Sequence, residues 1–520
     1  MLILAFVMFA ASAVAIEPGV GHVHFTVSTK NPEAQQFFDQ GMAYLYGFNH
    51  EAAIRSFQKA GELDPNLAMA WWGVALALGP NINMDVDPDR EKQAYDAVQT
   101  ALTKQASPKE RDMITVLAKR YSNDPKADLK KLAADYSQSM GDLSKKYPDD
   151  LDIATLYAES MMDLRPWKFW SNEGKPAPQT EEIVAVLESV IKRDPNHLGA
   201  NHYYIHAVEG SMHPERALKS ADRLRTLAPA SGHLVHMPAH IYQRTGNYPG
   251  AAKANDRAAA VDRQFIGKNG KEGIYPLMYY NHNLQFGTAS YAMEGRFADA
   301  KRLGDEFGAN AAAIAKEMPM LESAAATPVL VLVRFGKWPD VIKAPIATAG
   351  PMSSTLSHFA RGVAFAQLGD IPAAERERQE FEAARKTLGD DPGLFQNSPR
   401  AVADVAAGVL DGRIAEAKGD RSMAVRAYQR AVEAQDALDY DEPPDWFYPV
   451  RETLGAALFR GGQFAEAEKV FREDLKRNPN NPRSLFGLAE ALNKEKKTSA
   501  ATMAAFKRNW HGGALRIEDM

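Results

Sequence analysis

Small and apolar residues recur along this chain at spacings that suit α-helices. An early stretch carries the series Gly41, Tyr44, Ala53, Phe57, Ala60 and Pro65, and a late stretch repeats it as Gly455, Leu458, Gly462, Phe464, Ala467, Phe471 and Pro479. No segment combines strict apolar–polar alternation with enrichment in β-branched residues, so an appreciable β-sheet is not expected. The pattern predicts an all-α protein.

The gaps within these series match the helix–turn–helix unit of tetratricopeptide repeats (TPRs), which have a period of about 34 residues. Small residues at fixed positions let the two helices of a unit approach closely, and aromatic residues fill the space between them. Looser copies lie around Tyr242, Tyr291, Gly362 and Gly412. We expect a TPR-like α-solenoid of stacked antiparallel helix pairs, forming a superhelix with a concave groove.

The pattern divides the chain into five segments. They are a signal peptide (1–15), an N-terminal segment with the first TPR-like unit (16–84), helical non-consensus repeats (85–180), His-rich TPR units with an insertion at 264–283 (181–340), and C-terminal TPR units (341–520). Residues 1–15 are uncharged and apolar and end in Ala-Val-Ala, which is typical of a cleaved secretory signal. We therefore expect an exported, periplasmic protein with no membrane attachment after cleavage.

Several longer segments resemble a bacterial family of exported TPR proteins. They are FNHEAAIRSFQKAGELDP, HYYIHAVEGSMHPERAL, GHLVHMPAHIYQRTGNY and YDEPPDWFYPVRETLGAAL. The resemblance covers most of the chain beyond residue 15 and implies an α-solenoid. It brings no settled biochemical activity, and a TPR fold alone does not decide function.

Composition narrows the chemistry. The 520 residues include 61 Lys and Arg against 66 Asp and Glu, a net charge of −5, which gives no reason to expect a nucleic-acid partner. The chain has 13 His and no Cys. The lack of Cys excludes disulfides, thiolate metal sites and a Cys nucleophile, so any metal site must use nitrogen and oxygen ligands.

Seven histidines fall between residues 197 and 240, and four of them stand in register. His202 and His206 are four residues apart, so they share one helix face. His236 and His240 repeat this pair exactly one TPR period later. In TPRs these positions face the concave groove, so we predict that the four imidazoles converge on one transition metal ion with bonds of about 2 Å.

Neighbouring residues could complete such a site. Glu209 follows His202 by seven residues on the same face, while His233 and His282 begin the two following repeats. Asn255 replaces an apolar residue within a helix and would need a partner, which a ligand histidine could supply. Pro238 should kink its helix or shift its start, and a start at Pro238 would leave His236 in the preceding turn.

Histidine ligation without thiolate suits Zn(II), Cu(II), Ni(II) or Fe(II), and an exported location favours copper or zinc over Fe(II). Three functions remain open at this stage. The first is a metal-binding solenoid, with catalysis at the ion left undecided. The second is a scaffold that binds a protein or peptide in its groove without metal. The third is a small-molecule enzyme that uses a groove histidine as a general base.

Overall fold

The computed structural model describes residues 14–271, 273–392 and 396–520. The predicted signal peptide falls almost entirely outside the described residues. Within them the protein is an all-α helical-repeat solenoid with no β-strand, which confirms the predicted fold class. None of the described helices is long and apolar enough to span a membrane.

The chain forms two compact units. Unit 1 comprises the residues up to Pro166, with Pro178–Ala207 and Thr226–Leu234; unit 2 comprises Trp167–Ala177, Val208–Arg225 and Val235–Met520. The first eight helices belong to unit 1. They are α1 (Pro32–Tyr46), α2 (His50–Leu63), α3 (Ala68–Leu78), α4 (Pro88–Thr103), α5 (Pro108–Leu117), α6 (Leu129–Lys146), α7 (Leu151–Met162) and α8 (Thr180–Arg193).

The next three helices each contribute residues to both units. They are α9 (Leu198–Glu209), α10 (Leu218–Leu227) and α11 (Gly232–His236). Unit 2 continues with α12 (Pro238–Arg244), α13 (Tyr248–Asn269), α14 (Tyr280–Met293), α15 (Phe297–Ile314), α16 (Thr327–Arg334), α17 (Trp338–Lys343), α18 (Pro351–Gln367), α19 (Ile371–Arg385), α20 (Pro399–Ala417), α21 (Arg421–Asp436), α22 (Val450–Arg460), α23 (Phe464–Arg477), α24 (Pro482–Lys494) and α25 (Ala500–Asn509).

The glycine–aromatic series builds the helix pairs as predicted. In unit 1, the Phe57 ring on α2 lies against Gly41 on α1 and Gly73 on α3, and a Cβ atom at either glycine would come within 2.6 Å of the ring. In unit 2, Phe471 fills the same place between Gly455 and Gly487. The glycines are therefore required by close approach of the helices, which any side chain would prevent.

Local signals also set the helix ends. Ser107 and Glu110 form a capping box at the start of α5. Pro238 separates α11 from α12 and occupies the first turn of α12, where its missing N–H costs nothing. The break falls between His236, the last residue of α11, and His240, so both still lie on helical segments.

Candidate metal centre

Three histidines of unit 1 form a compact group, called the first triad. His202 and His206 come from α9, where their four-residue spacing puts them on one face, and His233 comes from α11. One ligand nitrogen from each lies within 4.8 Å of the other two. All three side chains are buried, with exposures between 0% and 3%.

Hydrogen bonds orient the rings of the first triad. The Nδ1 atom of His202 lies 2.6 Å from the carbonyl oxygen of Tyr46, to which it donates a proton, so the Nε2 atom carries the lone pair. This Nε2 lies 3.0 Å from Nε2 of His233 and 3.1 Å from Nε2 of His206. Two ligands of a tetrahedral zinc ion with bonds of about 2.0–2.1 Å stand about 3.3 Å apart, so small ring movements would admit an ion.

Phe48 closes one side of the first triad. Its ring stacks on those of His206 and His233, with centroids 5.9 and 5.5 Å away, and meets His202 edge-on at 4.6 Å. The residue has a φ of 55°, in the left-handed region that side chains avoid. The equivalent hairpin position is glycine in most later repeats, such as Gly246 and Gly462, where φ is also positive, although Lys496 takes it after α24. A bulky ring is thus held here against a backbone preference, as is common at functional sites.

Unit 2 contains a second group, called the second triad. His236 ends α11, His240 lies on α12, and His282 lies on α14 just after a π-helical turn at Tyr275–Tyr279. Their ligand nitrogens again lie within 4.8 Å of one another. His236 and His240 are fully buried, whereas His282 is half-buried.

The protonation of the second triad follows from its partners. Asn255 donates its amide N–H to the Ala251 carbonyl oxygen, so its Oδ1 atom faces His236 and accepts a proton from Nδ1 at 2.6 Å. Nδ1 of His240 donates to the buried carboxylate of Glu209. In its neutral form each ring therefore carries its lone pair on Nε2, and these two atoms lie 2.8 Å apart. Facing lone pairs at this distance repel unless a metal ion or an extra proton lies between them.

Glu209 adds negative charge to this arrangement. Burial lowers the pKa of His240, but the charge and the hydrogen bond of Glu209 raise it, and the resulting pKa lies above the ordinary value. The hydroxyl of Tyr440 donates to Glu209 at 3.3 Å and to Glu442 at 2.9 Å. A carboxylate that accepts the Nδ1 proton of a histidine makes the opposite nitrogen a stronger ligand.

The structure brings the predicted residues together in a different grouping. The pairs His202/His206 and His236/His240 are each completed by a histidine that begins the following repeat, His233 or His282. Each triad therefore combines one histidine pair with the first histidine of the following repeat. The single four-histidine site draws on both units and stays a prediction.

Of four residues that contact the triads, the sequence pointed to two. Asn255 contacts His236, the kind of partner predicted for it. Glu209, predicted to complete a ligand set with His202 and His206, belongs to neither triad and instead orients His240. Phe48 was missed, although an aromatic residue at a hairpin position that is glycine in most repeats is a visible signal. The Tyr46 carbonyl belongs to the backbone, so no residue type marks its contact in the sequence.

Comparison with known proteins agrees with the repeat architecture. A family model described as a tetratricopeptide repeat matches residues 453–508. The match falls on helices α22 to α25. No curated protein sequence matches this chain.

Several solved structures align with most of this chain at low identity and low TM-score. The Cut9–Hcn1 hetero-tetramer of APC/C is 15% identical, with a TM-score of 0.31, over 91% of this chain and 73% of that chain. The human IFIT1 dimer with m7Gppp-AAAA is 12% identical, with a TM-score of 0.34, over 93% of this chain and 91% of that chain. Yeast Tom70 is 12% identical, with a TM-score of 0.31, over 94% of both chains.

Proposed function

We propose that this TPR protein binds transition metal ions, copper or zinc, at its two histidine triads. The observation that carries the proposal is the pair of Nε2 atoms of His236 and His240, which face each other at 2.8 Å because Asn255 and Glu209 accept the protons of the opposite nitrogens. A cation between them would turn this repulsion into coordination. Neutral imidazoles are suitable ligands for both metals.

The first triad supports the same function by a similar arrangement. Its Nε2 atoms also point at one another, and the Tyr46 carbonyl fixes the tautomer of His202. Three histidine ligands leave one position open on a tetrahedral ion, as in catalytic zinc sites where water takes that position. The arrangement is therefore compatible with hydrolytic chemistry as well as with ion storage.

Metal content of untagged protein tests this proposal. After loading with zinc or copper and removal of excess ion, elemental analysis should find up to two ions per chain. His202→Ala should remove one ion and His236→Ala the other, while His213→Ala, at an exposed histidine, should change nothing. Less than about a tenth of an ion per chain in the unmodified protein would overturn the proposal, since triads of this kind bind tightly once deprotonated.

A proton is the alternative occupant of the second triad, and a pH series separates the two cases. Metal occupancy should fall in acid as protons compete for Nε2, whereas a triad that holds only a proton takes up no metal at any pH.

The TPR fold itself supports a second function, interaction with a protein. TPR stacks serve as binding scaffolds, and a protein or peptide partner does not require the triads. Co-purifying partners that survive a strong chelator and the double variant His202→Ala/His236→Ala would favour this function. Partners lost in both treatments would show that the metal supports the interaction.

A further inference from the structure

Unit 2 encloses a cavity of about 640 Å³ that the metal proposal does not use. One wall is the segment 437–449, called the acidic loop, which joins α21 to α22. Other walls come from α12, α23 and the segment around Asn172. The volume lies within the range of about 300–1,000 Å³ that is usual for small-molecule sites.

The cavity is lined by more acidic than basic side chains. Eight lining residues are Asp or Glu and four are Lys or Arg. Two of the basic groups share one carboxylate: Arg451 forms two hydrogen bonds of 2.6 Å with Asp436, and Arg477 lies 3.4 Å from the same group and 3.9 Å from Glu473. Lys476 pairs with Glu473 at 2.9 Å. The fourth, Arg244, donates to the carbonyl oxygens of Glu209 and Ser211 and lies over the Tyr440 ring. With eight carboxylates against four cations, the lining charge is negative overall.

Glu442 is a buried carboxylate on the cavity wall. It is only 4% exposed, yet it lines the cavity. Its Oε1 atom accepts the hydroxyl proton of Tyr440, whereas its Oε2 atom has no hydrogen-bond partner within the part of the chain that the structure describes. A buried carboxylate oxygen without a donor is costly, and a ligand donor would remove that cost.

Burial disfavours the charged form of Glu442, although the positive charge of Arg244 lowers its pKa, and it does the same for neighbouring carboxylates on the cavity wall. Burial raises the pKa of Glu442 to about 7, and burial raises that of Asp445 to about 6 although Asn397 donates to it at 2.8 Å. Burial also raises the pKa of Asp474 to about 6. Groups in this condition are stabilised as anions when a cation is placed beside them.

Aromatic side chains supply the rest of the surface. Tyr440, Phe447 and Tyr448 line the cavity beside the carboxylates. Carboxylate oxygens next to aromatic rings form a favourable environment for an ammonium group and its attached methylene groups. An anionic ligand would meet the opposite charge.

We propose that this cavity binds a small alkylamine, whose ammonium group pairs with Glu442 and its neighbours on the acidic loop and whose alkyl chain lies against the aromatic wall. The site is independent of metal at the triads, but it is linked to one of them. Tyr440 bridges Glu442 and Glu209, and Glu209 holds His240. Binding of the amine therefore alters the hydrogen bonding of the second triad.

Calorimetric titration with four probes of similar length tests the proposal: cadaverine, pentylamine, pentanediol and glutarate. Cadaverine and pentylamine should bind, and pentanediol and glutarate should not. Glu442→Gln should weaken amine binding at least about tenfold, because a charge-assisted hydrogen bond is lost. Asp142→Asn, at an exposed carboxylate of unit 1, is the matched control and should bind as the unmodified protein does.

A thermal melt of Glu442→Gln guards against loss of fold, and Asp445→Asn provides a second variant that should also weaken binding. Equal binding of cadaverine and pentanediol, preferred binding of glutarate, or unchanged binding in a folded Glu442→Gln protein would each overturn the proposal. A lysine-containing peptide is the last arm: binding of the peptide without binding of cadaverine would show that the ammonium group belongs to a protein partner instead. All titrations are run in metal-free protein, so failure of the metal proposal leaves this result interpretable.

Discussion

Substitution of Glu209 by Gln should weaken metal binding at the second triad and leave the first unchanged. The change keeps the size of the side chain and a hydrogen-bond acceptor for Nδ1 of His240, but it removes the negative charge. The two side chains are 2% and 1% exposed, so water does not screen their interaction. Only the electrostatic support of the ligand is lost.

The size of the effect follows from this burial. Loss of the partner of a ligand histidine lowers metal affinity by about 10–100-fold, or about 1.4–2.7 kcal/mol. We expect the upper half of that range because the pair is buried. Glu209 also raises the pKa of His240, so protons compete with the metal at higher pH in the unmodified protein. Its advantage over Glu209→Gln should therefore shrink as the pH falls.

Competition titration with a chromophoric zinc chelator measures this difference. Each triad is isolated in turn, the second in a His202→Ala background and the first in a His236→Ala background. Glu215→Gln, an exposed glutamate nearby in sequence, is the control. An affinity within about twofold of the unmodified second triad, or an equal loss at the first triad, would refute the role assigned to Glu209.

Three further predictions concern other parts of the molecule. Phe48→Gly should relieve about 1–2 kcal/mol of backbone strain but lose about 3–5 kcal/mol of ring packing. The melting temperature of the protein and the metal affinity of the first triad should therefore both fall, and a rise in either would contradict the structure. Burial raises the pKa of Asp262 to about 7. Because this folded-state pKa is above the unfolded value, the free energy of unfolding falls as the pH rises from about 4 to 7. In Asp262→Asn, where the amide of Asn283 can turn to accept a hydrogen bond, the urea-denaturation midpoint should change little over that range. Gly73→Ala should destabilise unit 1 by about 1–3 kcal/mol through overpacking, whereas Gly61→Ala, whose Cβ would meet only an ordinary contact at 3.4 Å, should be neutral or stabilising in the same thermal melts.

The repeat architecture could be predicted from the sequence because its signals are local and periodic. The glycines that face Phe57 and Phe471, the capping box at Ser107 and the interruption at Pro238 each act within one or two helices. The same periodicity placed each pair of histidines on a helix face, since the spacing of four residues is a property of the helix itself.

The grouping into triads could not be predicted with the same certainty. It depends on which ring rotamer each side chain adopts and on partners far apart in sequence, such as Tyr46 for His202. The contact of Glu209 shows the same limit: helical periodicity relates it to His202, but its carboxylate accepts from His240, 31 residues later. The contact between Tyr440 and Glu209 spans 231 residues and left no pattern to detect.

The unequal burial of the triads has a consequence for the speed of ion exchange. Every ligand of the first triad is at most 3% exposed, whereas the second triad includes the half-buried His282. An ion in the second triad can leave when the half-buried His282 side chain moves toward solvent. An ion in the first triad can leave only after a local opening of the fold. In an isotope-exchange experiment the two bound ions should therefore turn over in two separate phases, with the slow phase belonging to the triad beneath Phe48.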